Sequence, residues 1–181
     1  MAYFTAVIAR TGRAWKARDV EVDDAGSLDE LADALRSAAL DDQPVLAVIE
    51  HEDEWFALVR VDGDEEPRLF VSDLGASTHG HYAQLLASAA DVDVVDVVDD
   101  AEADEDGDGD GEAADDPADD PAADDEPSVA AWAGDPELLD DLGVSARALR
   151  KLTEEKGDDP GAVLAEIGET VGFADLLEAL R

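Results

Sequence analysis

The chain has no cysteine and only 12 lysines and arginines among its 181 residues. Without cysteine there can be no disulfide, no cysteine-ligated zinc and no thiol catalysis. So few bases leave no broad phosphate-binding surface, because affinity for nucleic acid comes from neutralising phosphates with Lys and Arg; no direct nucleic-acid binding is expected. Long apolar runs are missing as well: no stretch approaches the roughly 18 residues that a membrane span needs. Met1-Ala2-Tyr3-Phe4-Thr5 lacks the basic start and long apolar run of a signal peptide, so the expected location is the cytoplasm. There is no Gly-rich phosphate loop, no G-x-S-x-G elbow and no nucleotide fingerprint, and no cofactor is expected.

What the chain has in excess is acid: 49 Asp and Glu give a formal charge of −37. The excess is uneven. Residues 1–90 carry 18 acids and 7 bases, residues 91–128 carry 19 acids and no base, and residues 129–181 carry 12 acids and 5 bases. About half of the charge therefore sits in one short segment, which cannot collapse against its own repulsion. From Ala101 to Pro127 the composition is almost wholly Asp, Glu, Ala, Gly and Pro, that of a disordered linker. The expected organisation is a sheet domain over 1–90, an acidic low-complexity linker over 91–128 and a small helical domain over 129–181. Such a chain either seeks a basic partner or is simply kept soluble by its charge.

The first part is organised around Val45–Asp73. Val45-Leu46-Ala47-Val48-Ile49 is short, apolar and rich in β-branched residues, the pattern of a strand buried on both faces. His51–Glu54 reads as a hairpin loop. Trp55–Val61 then alternates, with Trp55, Ala57, Val59 and Val61 on one face and Phe56 and Leu58 on the other. Asp62–Pro67 has turn chemistry, and Arg68–Ser72 reads as a further strand. Ahead of this meander, Tyr3–Ala9 and Ala14–Val22 read as strands. In the second, Trp15 and Ala17 have one parity and Val20 and Val22 the other, so either a bulge near Arg18-Asp19 restores one face or the buried face changes.

Ser27-Leu28-Asp29-Glu30 has capping-box spacing, and Leu28, Leu31, Leu35 and Ala38 recur as in an amphipathic helix over Leu28–Ala39. Ser77 or Thr78 would cap a second helix, with Tyr82, Leu85, Leu86 and Ala89 on its apolar face. The order β-β-α-β-β-β-α predicts an α+β fold with an antiparallel sheet. Asp91–Asp100 alternates Val and Asp and would be at most a short edge strand. Past the linker, Asp135-Pro136-Glu137 reads as a helix start running to Leu142, with Gly143 as its stop. Ser145 would cap the next helix, Asp159-Pro160 would start a third, and Phe173–Leu180 would make a fourth. By size alone this bundle is marginal, and docking onto the sheet would help it.

Candidate chemistry is thin. Asp104, Asp106, Asp108 and Gly109 imitate the first half of a calcium-binding EF-hand loop, but position 12 is Asp115 rather than Glu and no helix flanks it. His51 beside Glu52, Asp53 and Glu54, and His79 with His81, are conceivable metal ligands; solvated loop carboxylates are the plainer reading, and no metal is expected. Trp55, Phe56 and Trp132 are interface candidates, since tryptophan is favoured at binding hot spots, although hairpin aromatics more often fill a core. Arg147, Arg150 and Lys151 form a basic cluster that would suit an acidic partner or RNA. The alternative is pairing along their own helix, Arg150 with Glu154 and Lys151 with Glu155.

Several blocks also carry a family likeness: Met1–Ala6 with Trp15 and Arg18-Asp19-Val20, Glu52–Gly63, Arg68–Asp73 and Gly134–Gly143. Together they resemble the tRNA adenosine deaminase-associated proteins, whose genes lie beside that of the tRNA-editing enzyme. The resemblance covers both expected folded parts and omits the linker. It implies a deaminase as partner and brings no catalytic residue with it. Zinc deaminases use H-x-E with P-C-x-x-C; none of the three histidines here begins an H-x-E, so this chain is not read as an enzyme. The expected function is that of a non-enzymatic accessory protein whose acidic segment covers the basic tRNA-binding surface of the deaminase. The alternative is a small ligand-sensing module, for which a pocket lined by Trp15, Trp55, Phe70 and Tyr82 would speak. A hydrolase using carboxylates of Glu50–Glu54 is a third option, though nothing in the sequence pairs two of them across a cleft.

Overall fold

Strands β3 (Val45–His51) and β4 (Trp55–Val61) form the middle of the structure, and every residue in both is buried. The structure is a computed structural model and describes residues 3–39, 43–52, 54–91 and 131–181. The valine–aspartate run, the acidic linker and the EF-hand-like stretch all lie outside the described residues. Among these residues a six-stranded antiparallel sheet runs in the order β2-β1-β3-β4-β5-β6, with β1 at Tyr3–Thr11, β2 at Ala14–Arg18, β5 at Arg68–Val71 and β6 at Ala133–Gly134. The α+β class and the antiparallel sheet are as the alternation predicts. The described residues before 92 and after 130 belong to one compact unit.

Register decides which side chains share a face. Ala47 pairs Val59 and Ile49 pairs Ala57, while Leu46 pairs Arg60, Val48 pairs Leu58 and Glu50 pairs Phe56. The first set packs with Trp55, Val61, Tyr82, Leu85 and helix α1 (Leu28–Ala38); the second packs under the C-terminal helices. Two cores thus lie on opposite faces of one sheet, which is why the central strands read as continuous apolar runs.

Strand β2 ends at Arg18, and Val22–Asp24 is a 3-10 turn rather than a continuation. No bulge reconciles the two parities: Trp15 points into the core under the C-terminal helices and Val22 into the other. The indole Nε1 of Trp15 donates to Val171 O at 3.1 Å, and its ring meets Phe173 edge-on. Ser27 caps α1 as expected, but Glu30 reaches back to Gly26 N at 2.8 Å, one residue beyond the usual partner.

The expected second helix is instead two single turns, α2 (Leu74–Ser77) and α3 (Ala83–Leu86), followed by a 3-10 turn at Ala87–Asp91. Asp73 caps α2, accepting from Ala76 N at 2.9 Å, and α3 has no side-chain cap; Ser77 and Thr78 cap neither, their hydroxyls donating back to Leu74 O and Gly75 O.

Residues 131–181 supply β6 and the helices α4 (Ala146–Lys156), α5 (Pro160–Val171) and α6 (Ala174–Leu180). Strand β6 went unread in the sequence. Gly134 is required in it: φ is +95°, and a Cβ would lie 2.1 Å from Leu69 O, closer than any side chain can come. The helix expected from Asp135 is a run of turns ending in a 3-10 turn at Asp140–Leu142, stopped by Gly143. Asp135 caps it only locally, accepting from Glu137 N, while its other oxygen takes the Arg68 Nε hydrogen bond. Ser145 and Asp159 cap α4 and α5 as read.

Candidate interaction surface

The six interface candidates are scattered. Trp55 and Phe56 are 1% and 0% exposed and belong to the two opposite cores, so neither side chain offers surface to a partner. Trp132 is 8% exposed, stacks on Phe70 with centroids 5.9 Å apart, and carries the Arg150 guanidinium over its outer face. Arg150 therefore does not pair with Glu154. Lys151 does lie 3.8 Å from Glu155, and Arg147 is engaged. The pocket on which the ligand-sensing alternative rested cannot form. Trp15 and Phe70 lie in one core and Trp55 and Tyr82 in the other, with the sheet between them.

Two buried charged side chains sit on the sheet face under the C-terminal helices, and each meets an opposite charge there. Arg60, on β4, is 5% exposed. It donates to both oxygens of Asp62 at 2.6 and 2.8 Å, to Leu138 O at 2.6 Å and to Asp141 Oδ2 at 2.9 Å, and makes a second, short bond to Asp141. Glu50, on β3, receives the guanidinium of Arg181. A buried charge is tolerated only when paired and hydrogen-bonded, so these pairs pin the C-terminal segment at two points on the sheet. Burial works against the Arg60 charge, but the hydrogen bonds to Asp141 and Asp62 and their negative charge outweigh it and raise its pKa. In return the Arg60 hydrogen bond holds the Asp141 carboxyl below the usual aspartate range, against its partial burial.

Around Arg60 lies a shallow depression lined by Asp62, Glu65, Arg68, Glu137, Asp140 and Asp141. Both arginines are spent inside it, Arg68 on Asp135 at 2.5 Å. The exposed carboxylates of Glu65, Glu137 and Asp140 form its outward charge. Such a rim, held on paired arginines, presents fixed negative potential to a cationic partner. The sequence carried one signal of it: Arg60 is the lone charge in an otherwise apolar strand. Asp141, 81 residues on, gave none.

At one end of the other face, Tyr3, His51, Trp55 and Tyr82 form an aromatic cluster, with Tyr3 4.5 Å from His51 and 5.0 Å from Tyr82. Gly80 lets the Tyr3 hydroxyl approach where a Cβ would stand 2.2 Å away. His51 Nδ1 is 2.8 Å from Glu54 Oε2 across the hairpin. The Tyr82 hydroxyl donates to Asp23; burial first, and then that bond, push its pKa up. Among the described residues no three His, Asp or Glu side chains group as metal ligands, and none of their helices is long and apolar enough to cross a membrane.

A family model described as Rv3753c-like tRNA adenosine deaminase-associated protein matches residues 3–116 and 110–174. No curated protein and no solved structure matches. The chain belongs to that family.

Proposed function

We propose that the chain is a non-enzymatic accessory protein of a tRNA adenosine deaminase, which it binds through carboxylates laid against the enzyme's basic tRNA-receiving surface. The observation that carries this reading is charge: 49 acids against 12 bases in a family described by its association with such an enzyme. A tRNA-binding enzyme must present Lys and Arg to phosphates. Two features supply complementary charge: the rim of Glu65, Glu137 and Asp140, and residues 91–128 with 19 acids and no base. The acid-rich segment supplies long-range attraction and the rim a fixed register. The absence of cysteine and of H-x-E removes the deaminase's own zinc chemistry, which supports a helper rather than a catalyst. The setting would be the cytoplasm, where free tRNA is edited.

The test is co-purification of the tagged chain with the tRNA adenosine deaminase of the same organism, at physiological salt, comparing the full chain with a deletion of residues 101–127. Capture by the full chain, weakened in the deletion, is the expected result. Equal capture by both would move the contact to the folded part. No capture by either would overturn the proposal.

A further inference from the structure

Four of the chain's 12 bases, Arg10, Arg13, Lys16 and Arg18, fall in the first hairpin, and no acid precedes Asp19. This basic cluster is separate from that on α4, and it differs in kind. The other eight bases are engaged: six by carboxylates, Arg150 by Trp132, and Arg147 as well. Arg10 turns onto its own loop, donating to Gly12 O at 3.1 Å. Among the described residues Arg13, Lys16 and Arg18 meet no carboxylate, and the Arg18 Nε is enclosed without a hydrogen-bond partner. In a chain so rich in acid, three bases on one hairpin with no carboxylate partner among the described residues are the exception.

Their backbone is the second observation. Strand β2 is outermost in the sheet. One flank bonds to β1, and among the described residues no strand lies along the other, so its outward N–H and C=O groups can take a further strand. The register Val7 to Arg18 and Ala9 to Lys16 puts Lys16 and Arg18 on one face, with Trp15 and Ala17 on the other. Arg13 stands in the turn that leads into the strand.

We propose that the outer edge of β2 docks an extended acidic peptide of a partner protein by strand addition. The peptide would carry carboxylates at every second position and β-branched apolar residues between them. Main-chain hydrogen bonds hold such a guest, and alternate side chains select it. Directly opposed residues on neighbouring strands lie about 4.5–5.5 Å apart, so carboxylates two residues apart fall beside Lys16 and Arg18.

The chain's own acid-rich residues are poor occupants. Val92–Val98 follow the 3-10 turn Ala87–Asp91, which packs against β5 and β6. That edge is five strand spacings from β2, about 24 Å, a crossing that would use up all of Val92–Val98. Residues 101–127 are dominated by Asp, Gly, Ala and Pro, which pair badly as strands. A nucleic acid would use the charges but leave the open main chain unmet.

The experiment uses the full chain labelled with ¹⁵N and two synthetic peptides of equal charge, one alternating Asp with Val and one alternating Asp with Pro. The Asp–Val peptide is expected to shift the amides of Ala14–Arg18, and the Asp–Pro peptide to bind at least tenfold more weakly. The double substitution Lys16→Glu and Arg18→Glu should weaken Asp–Val binding at least tenfold while the circular dichroism spectrum is unchanged. Equal binding of the two peptides would reduce the edge to a charge contact and overturn the proposal. So would an absence of shifts at Ala14–Arg18 at millimolar peptide, or an oligo-uridine that takes the same edge at lower concentration. The two-peptide comparison needs no variant, so a failure of the double substitution to fold leaves it intact.

Discussion

Replacing Asp141 by asparagine takes away one of the two carboxylates that hold Arg60 beneath the C-terminal segment. Hydrogen bonds to charged groups contribute about 1.5–3 kcal/mol each, but the Asp141 side chain is 56% exposed, and exposed pairs are screened to about 0–1 kcal/mol. Asp62 keeps its bidentate bond, and asparagine retains one acceptor. The expected loss is therefore about 1 kcal/mol at pH 7, or about 2–4 °C in Tm for a chain of this size. Arg60→Ala is a different perturbation: it strands Leu138 O and leaves Asp62 and Asp141 facing each other, and should cost about 3–5 kcal/mol.

The sign of the pH dependence follows from the depressed pKa. Asp141 contributes its stability above the ordinary aspartate value of 3.8 and loses it as pH falls toward its lowered value. Urea denaturation followed by tryptophan fluorescence, repeated from pH 7 down to pH 3, should show the gap between wild type and Asp141→Asn closing at the acid end. In an Arg60→Met background Asp141→Asn should cost nothing. A gap that stays constant with pH, or survives in the Arg60→Met background, would refute the reasoning.

Other substitutions probe the frame around that clamp. Gly134→Ala forces a positive φ and a contact of 2.1 Å with Leu69 O; it should cost at least about 2 kcal/mol and speed amide exchange at Asp135, whose N–H bonds to Leu69 O at 2.7 Å. Tyr82→Phe removes a phenol whose raised pKa contributes stability that is fully present below pH 10 and lost above it. Wild type should therefore weaken between pH 9 and 11 in urea melts, and the variant less so. Trp15→Phe loses the bond to Val171 O and some packing, and should cost about 1–2 kcal/mol, read as a lower urea midpoint at unchanged slope.

The central meander was legible because its two signals agree: β-branched runs of strand length, and an alternation that places Trp55 and Phe56 on opposite faces. The parity conflict between Trp15 and Val22 was legible as a conflict, and the two-sided sheet resolves it, since each residue has a core to enter. The short helices after β5 were harder. Gly75 and Gly80 interrupt the helical period, and Asp73 competes with Ser77 and Thr78 as a cap at similar spacing. Strand β6 is two residues long, too short for any period to reveal.

The charged pairs divide in the same way. Arg60 stands out as a lone charge in an apolar strand, yet its partner is set by tertiary packing alone, as is the Arg181 that meets Glu50. The bases of the first hairpin are plain in the sequence but not contiguous. Only the register of β1 with β2 shows that Lys16 and Arg18 share a face and an open edge.

The most direct test of the accessory reading is competition for the deaminase. Fluorescently labelled tRNA is bound to the enzyme at physiological salt, and the full chain is titrated in while anisotropy is followed. Release of the tRNA, with a midpoint that rises steeply with salt, is the predicted result. A tRNA that stays bound while the chain joins to form a ternary complex would contradict the account.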